Sequence, residues 1–118
     1  TGRTREEQAA IWKEGTKTAN KVSWHELGRA WHLYVIDPKT GRRDVMGTML
    51  DSYRHLAWIA DKLGIRQLGF NADGTERLIT VKSGQTWDPW HHEWRHPHET
   101  LLAACEAEAP HLAEVLIA

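Results

Sequence analysis

The ten residues Ser23–His32, SWHELGRAWH, decide how this chain is organised. Gly28 interrupts the stretch, and glycine favours a turn at such a position. The apolar, aromatic and β-branched residues of segment 30–36 then predict a strand. We therefore expect His25 at the end of a loop and His32 on the strand that follows it.

The pattern on both sides of this stretch predicts an α+β domain spanning residues 1–118, with a small, mainly antiparallel sheet flanked by helices. Thr4 and Glu7 have the spacing of a capping box at a helix start. Apolar residues recur at helical spacing between Met49 and Leu63. The predicted elements are a helix over 5–14, a surface loop over 16–22, a hairpin of strand 30–36 with a return strand to Val45, a helix over 49–63, strands over 65–70, 76–81 and 86–94, and a helical end over 99–118 that Pro110 interrupts.

Charge and cysteine content exclude several classes of protein. The chain has 118 residues, with 15 Lys and Arg against 16 Asp and Glu, so no cationic field recruits nucleic acid. No apolar stretch approaches the roughly 20 residues of a membrane helix, and the polar segment 1–8 lacks the hydrophobic centre that we would expect of a signal peptide. The single Cys105 excludes an intramolecular disulfide and a Cys-rich zinc site, and we expect it to be a buried apolar residue. We expect a monomer that binds neither nucleic acid nor membrane, located in the cytoplasm or released by lysis.

Three of the eight histidines have sequence positions that could bring their side chains together around one metal ion. His25 and His32 flank the Gly28 turn, and His91 lies on a later predicted strand. Three protein ligands with one open position are typical of catalytic zinc. The spacing alone leaves open that these are three unrelated histidines.

A second zinc pattern is present in the segment 92–96, HEWRH, which satisfies H-E-x-x-H. That pattern binds zinc when both histidines lie on one face of a helix. Pro89 and Pro97 bracket the segment, and its aromatic residues favour a strand. We therefore do not expect His96 to be a ligand.

Three motifs resemble those of the zinc D,D-carboxypeptidases and L-alanyl-D-glutamate endopeptidases, which cut peptidoglycan stem peptides and include phage endolysins. The stretch Ser23–His32 resembles their Ser-x-His-x-x-Gly-x-Ala-x-Asp signature. Asp88–Glu93, DPWHHE, resembles their Asp-x-x-His-x-Glu element. Arg3 and Thr4, followed by Gln8, resemble the start of their first helix.

The resemblance implies a peptidase that uses one zinc ion on a peptidoglycan peptide or a small-molecule substrate. It implies Asp88 as the general base and Arg3 as a group that binds a substrate carboxylate or the developing oxyanion. The implied metal ligands are His25, His32 and His91. The resemblance also implies Gln8 as a substrate-binding residue and Glu93 as a residue behind the ligands. From the sequence itself we expect Ser23 near the site, Trp31 and Trp90 as aromatic walls that bind substrate, and His92 behind the ligands.

One ligand position departs from this family, because His32 stands where the signature has aspartate. A neutral imidazole in place of a carboxylate raises the net charge of a metal site by one unit. Three imidazoles also suit other divalent transition metals. The departure favours a divergent member or an engineered variant, so the alternative is a redesigned three-His metalloprotein that catalyses a non-native Lewis-acid reaction. A third alternative is an inactive module that binds the cell wall.

Overall fold

The computed structural model describes residues 3–15, 18 and 20–118. Its helices and strands confirm an α+β architecture. In chain order they are α1 (Arg5–Glu14), β1 (Ala30–His32), α2 (Leu50–Lys62), β2 (Ile65–Leu68), β3 (Ile79–Val81), β4 (Gly84–Thr86), β5 (Asp88–Trp94), α3 (Leu101–Glu108) and α4 (Pro110–Ile117).

The longest strand, β5, lies in the centre of a three-stranded antiparallel sheet of order β1-β5-β2. His32 of β1 is paired with His91 of β5. Two residues further along β5, Glu93 lies between Ala30 and Arg66. Strands β3 and β4 form a separate two-stranded hairpin.

Close packing brings the end of β2 against the start of β5. A Cβ atom on Gly69 would lie 2.4 Å from the Cα of Pro89, which is far inside van der Waals contact. Only glycine is small enough for this approach. Gly69 therefore allows the chain leaving β2 to pack beside Pro89, next to Asp88.

The helix starts show how local and more distant residues contribute to capping. The capping box of Thr4 and Glu7 is present at α1, as predicted. The N-cap residue of α2, Met49, has no side-chain cap. Its backbone amide donates instead to Asp44 Oδ2 at 2.8 Å, and the Thr48 hydroxyl donates to Asp44 Oδ1 at 3.1 Å.

Three buried apolar clusters hold the helices to the sheet and to the loop before β1. Cys105 is fully buried, as predicted, in a cluster with residues of α4 and Val22. The members of the clusters are Val22, Cys105, Leu112 and Ala113; Trp24, Ala30 and Ala104; and Tyr53, Ala57 and Phe70.

Arg29 ties the C-terminal helices to the same loop. Its guanidinium lies over the rings of Trp24 and Trp94, at 5.0 and 4.6 Å from their centroids. It forms a two-pronged ion pair with Glu99 and a second ion pair, at 3.2 Å, with Glu108. The C-terminal helix pair is therefore held directly behind the Ser23–His32 stretch.

Several predicted boundaries were wrong. The strand predicted over 30–36 ends at His32, and the predicted return strand is reduced to one bridge between Ile36 and Arg43. Strand β1 pairs with β5 instead, through three consecutive residue pairs, whereas the predicted hairpin retains only one. The strand predicted over 86–94 is divided between β4 and β5, and the strands predicted over 65–70 and 76–81 are shortened to β2 and β3. Pro110 begins α4, and the predicted loop over 16–22 lies partly outside the described residues.

No helix in the described part of the chain is both long enough and apolar enough to cross a membrane.

Candidate metal centre

A single tight turn presents His25. The Leu27 and Arg29 amides both donate to the Trp24 carbonyl, and the His25 amide donates to Ser23 Oγ at 3.1 Å. Gly28 closes the turn with φ of 70°, the left-handed region that glycine adopts without strain. Ser23 lines the cavity described below, and its hydroxyl accepts a hydrogen bond within its own turn.

The sheet supplies the other two imidazoles. His32 is the last residue of β1 and is paired with His91 in the middle of β5. The His25 ring meets both of the other rings edge-on, with centroid separations of 4.9 Å. His25 and His91 are buried, whereas His32 is exposed. The structure thus brings together the three predicted ligands.

The ligand atoms of His25, His32 and His91 all lie within 4.8 Å of one another, so this cluster could hold a metal ion. His25 Nε2 and His91 Nδ1 are 3.2 Å apart. Two imidazole nitrogens on one tetrahedral zinc ion would be about 3.3 Å apart at ordinary Zn–N distances. The His32 ring stands further out, 5.9 Å from the His91 centroid, at the solvent-facing end of the group.

Glu93 orients the His91 ring. Its Oε1 atom lies 3.0 Å from His91 Nε2, and both side chains are buried. A carboxylate at that nitrogen favours a proton there, which leaves Nδ1 as the lone-pair atom that faces His25. The position of Glu93 therefore suits the role that the resemblance implies for it.

The third imidazole is neutral at neutral pH. Although His32 is exposed as a residue, its ring packs against His25, and this partial desolvation lowers the pKa of His32 to about 4. The nearby charges of His91 and Arg3 contribute to the same shift. A neutral imidazole has the free lone pair that a metal ligand needs.

Asp88 begins β5 beside the cluster. Its Oδ2 atom lies 4.0 Å from His91 Nδ1, and its Oδ1 atom is buried without a hydrogen-bond partner among the described residues. Burial raises the pKa of Asp88, although the nearby His91 and Arg3 oppose that change. A carboxylate with a raised pKa and an unused oxygen can accept a proton from a group in the cavity.

Arg3 lines the same cavity, and Gln8 holds it there. Arg3 Nη1 donates to Gln8 Oε1 at 2.7 Å. Gln8 is fully buried, and its amide nitrogen donates to Thr18 Oγ1 and to the Asn20 carbonyl. Both ends of the Gln8 amide are therefore occupied by the protein, and its place is behind Arg3.

A cavity of about 390 Å³ joins these groups. Its polar lining includes the three histidines, Asp88 and Arg3. Its apolar lining includes Ile11, Val22, Leu68 and Ile79. Its size and mixed lining suit a small ligand with polar and apolar parts.

Two of the predicted site residues lie on the other face of the sheet. Successive side chains of a strand alternate between faces, so Trp31 and His92 point away from the face of His32 and His91. His92 is fully buried, with its ring nitrogens near the Trp90 carbonyl and the Gln67 amide. Trp31 does not line the cavity, so its predicted place beside a substrate was wrong. The predicted role of His92 behind the ligands stays a prediction.

Trp90, in contrast, does line the cavity. Its ring is stacked on Tyr34 with a centroid separation of 5.8 Å. Tyr34 in turn meets His32 edge-on at 6.3 Å. Of the two tryptophans predicted at the site, only Trp90 lines the cavity. Tyr34 packs against both Trp90 and His32, a contact that the sequence pattern did not indicate.

The cavity also contains two arginines that the sequence pattern did not indicate, Arg66 and Arg95. Alternation along β2 and β5 places both on the face of His91, but that face is known only when the sheet pairing is known.

The H-E-x-x-H segment 92–96 continues from β5 into extended chain, which confirms that it is not a helical zinc motif.

Comparisons with family models, curated proteins and solved structures found no match to this chain.

Proposed function

We propose that this protein is a metal-dependent hydrolase that cleaves amide bonds of peptidoglycan stem peptides. The observation that carries the proposal is the meeting of three imidazoles with Asp88 in one cavity, where Asp88 Oδ2 lies 4.0 Å from His91 Nδ1. The motif resemblance of Ser23–His32 and Asp88–Glu93 supports the choice of substrate.

A divalent ion held by His25, His32 and His91 would supply Lewis acidity, which polarises a carbonyl and lowers the pKa of water. Zinc suits an all-imidazole site, and so do other divalent transition metals. Asp88 would take the proton of the attacking water and return a proton to the leaving amine.

Arg3 would stabilise the negative charge that develops on the carbonyl oxygen. Its guanidinium is fixed by Gln8 and carries a permanent positive charge at the edge of the cavity. Donors that are held in place before the reaction stabilise such a charge without reorganisation. The apolar side chains that line the cavity would contact an uncharged side chain of the peptide.

A second candidate function is a repurposed three-His site that catalyses a different Lewis-acid reaction. The observation that favours it is His32, which is a neutral, exposed ligand where the resembling family has a carboxylate. Such a site would bind metal but would not cleave peptidoglycan.

The test is the release of peptides from purified peptidoglycan by the wild-type protein, with and without a chelator. We expect release that stops with the chelator and returns when zinc is added. The His25→Ala variant should be inactive, whereas His55→Ala, which removes an exposed histidine of α2, should retain full activity. Metal binding without release would favour the repurposed site, and cell-wall binding that survives the chelator would favour an inactive binding module.

A further inference from the structure

Arg66 is the cavity residue that the proposed reaction leaves unused. It lies on β2 directly opposite Glu93 of β5. It lines the same cavity as His32, His91 and Asp88. It therefore stands on the far side of the central strand from His32, within the space open to a substrate.

The guanidinium of Arg66 is incompletely satisfied by the protein. Its Nε atom is buried and has no hydrogen-bond partner within the part of the chain that the structure describes. The carboxylate opposite it, Glu93, already contacts His91 Nε2 at 3.0 Å and Arg95 Nε at 3.8 Å. A buried donor without a partner is unfavourable, so the protein leaves part of the hydrogen-bonding capacity of this guanidinium unused.

A further cation, Arg77, lies near Arg66. Burial and the Arg66 charge lower the pKa of Arg77, whereas the carboxylates Glu93, Asp61 and Asp73 oppose that change. Arg77 donates to the Gln67 carbonyl and to Asn71 Oδ1, so these two contacts bring no negative charge. The cavity itself has three arginines, Arg3, Arg66 and Arg95, against the two carboxylates Asp88 and Glu93.

We propose that Arg66 is a specificity-determining residue that binds a carboxylate of the substrate at the β2 side of the cavity. A carboxylate offers two coplanar oxygens, which match the fork of a guanidinium. Anchoring that group on β2 fixes the distance between the carboxylate and the bond presented to Asp88. The consequence for cleavage rests on the proposed function, whereas binding of the carboxylate does not require hydrolysis.

The experiment compares two ligands of nearly the same shape, N-acetyl-D-alanine and N-acetyl-D-alaninamide. Their binding is measured by NMR titration at neutral pH, with and without a chelator. We expect the wild-type protein to prefer the acid by about tenfold in both conditions. Arg66→Gln should remove the preference, and Arg66→Lys should retain part of it because the charge remains without the fork.

Arg42→Gln and Arg95→Gln are the matched controls. Arg42 is exposed, and Arg95 lines the cavity beside Glu93. Arg42→Gln should keep the full preference for the acid, and Arg95→Gln, which removes one charge of the cavity but not the proposed anchor, should keep most of it. Thermal unfolding of each variant verifies the fold, and if Arg66→Gln does not fold, Arg66→Lys takes its place in the comparison.

Three outcomes would overturn the inference: equal binding of acid and amide by the wild-type protein, a preference that survives Arg66→Gln, and a preference that Arg95→Gln alone removes. A preference that is seen only without chelator and survives Arg66→Gln would mean that the carboxylate binds the metal. If the Arg66-dependent preference is found but no peptidoglycan is cleaved, the proposed function fails and the anion site stands. If peptidoglycan is cleaved but the acid is not preferred, the proposed function stands and the role of Arg66 fails.

Discussion

His91 Nε2 lies 3.0 Å from Glu93 Oε1, on the same face of β5. The opposite nitrogen of the ring, Nδ1, lies 3.2 Å from His25 Nε2. One side of the imidazole therefore contacts a carboxylate, and the other side faces the neighbouring ligand. The contact with Glu93 therefore favours Nε2 as the protonated nitrogen and leaves Nδ1 as the nitrogen that can bind a metal ion.

Replacing Glu93 should weaken metal binding without removing a ligand. We expect Glu93→Gln to reduce zinc affinity by about tenfold or more, because the amide no longer attracts the His91 proton as strongly. Competition with a chromophoric chelator measures the affinity. Glu106→Gln, at an exposed position of α3, is the control and should bind zinc like the wild-type protein. Equal affinity of Glu93→Gln and wild type would contradict the role assigned to Glu93.

Replacing Asp88 should separate catalysis from metal binding. We expect Asp88→Asn to keep one equivalent of metal and to lose about 10²–10⁴ of the cleavage rate, which is the usual contribution of a general base. Because burial raises the pKa of Asp88, the acid side of the wild-type pH profile should lie above the ordinary aspartate value of 3.8. The control is Asp51→Asn, at an exposed position of α2. Full activity of Asp88→Asn would exclude Asp88 as the base.

Substituting His32 by aspartate tests whether the third imidazole serves peptide hydrolysis or a different Lewis-acid reaction. If the site cleaves peptidoglycan and His32 is a tolerated ligand, His32→Asp should raise the cleavage rate, since it restores the carboxylate of the resembling family. If the site was built for another Lewis-acid reaction, the same variant should abolish that reaction. An unchanged rate, with unchanged metal content, would show that His32 does not contact the ion.

Stability at low pH should depend on Asp44. Burial opposes its ionisation, but hydrogen bonds from Met49 and Thr48 prevail and lower the pKa of Asp44 below 3.8. The stabilisation is therefore present above the unfolded-state pKa and is lost as the pH falls through the folded-state pKa. Asp44→Asn should lower the free energy of unfolding by about 1 kcal/mol at pH 7, with a smaller difference at pH 3. Urea unfolding at both pH values measures this, and a difference that grows at pH 3 would contradict it.

Features that depend on neighbours in the sequence could be predicted from it. The capping box at Thr4 and Glu7 and the apolar period of α2 are local patterns, and both helices lie within a residue or two of their predicted bounds. The meeting of His25 and His32 also follows from a local turn that ends at a strand.

Features that depend on strand pairing could not be predicted in this way. The strand expected over 30–36 stops at His32 because its pairing partner is β5, about 60 residues away, and not the segment after the turn. Arg66 could be placed in the cavity only once β2 was paired with β5. The face of Trp31, in contrast, follows from local sequence, since a residue adjacent to His32 on a strand points to the other face of the sheet.

The central claim is that His25, His32 and His91 hold one metal ion, and metal content tests it most directly. We expect protein purified without added metal, then dialysed against zinc, to contain one equivalent of zinc, and His91→Ala to contain far less. His55→Ala should match the wild-type value. Wild-type protein without bound metal, or His91→Ala with a full equivalent, would contradict the claim on which the proposed function rests.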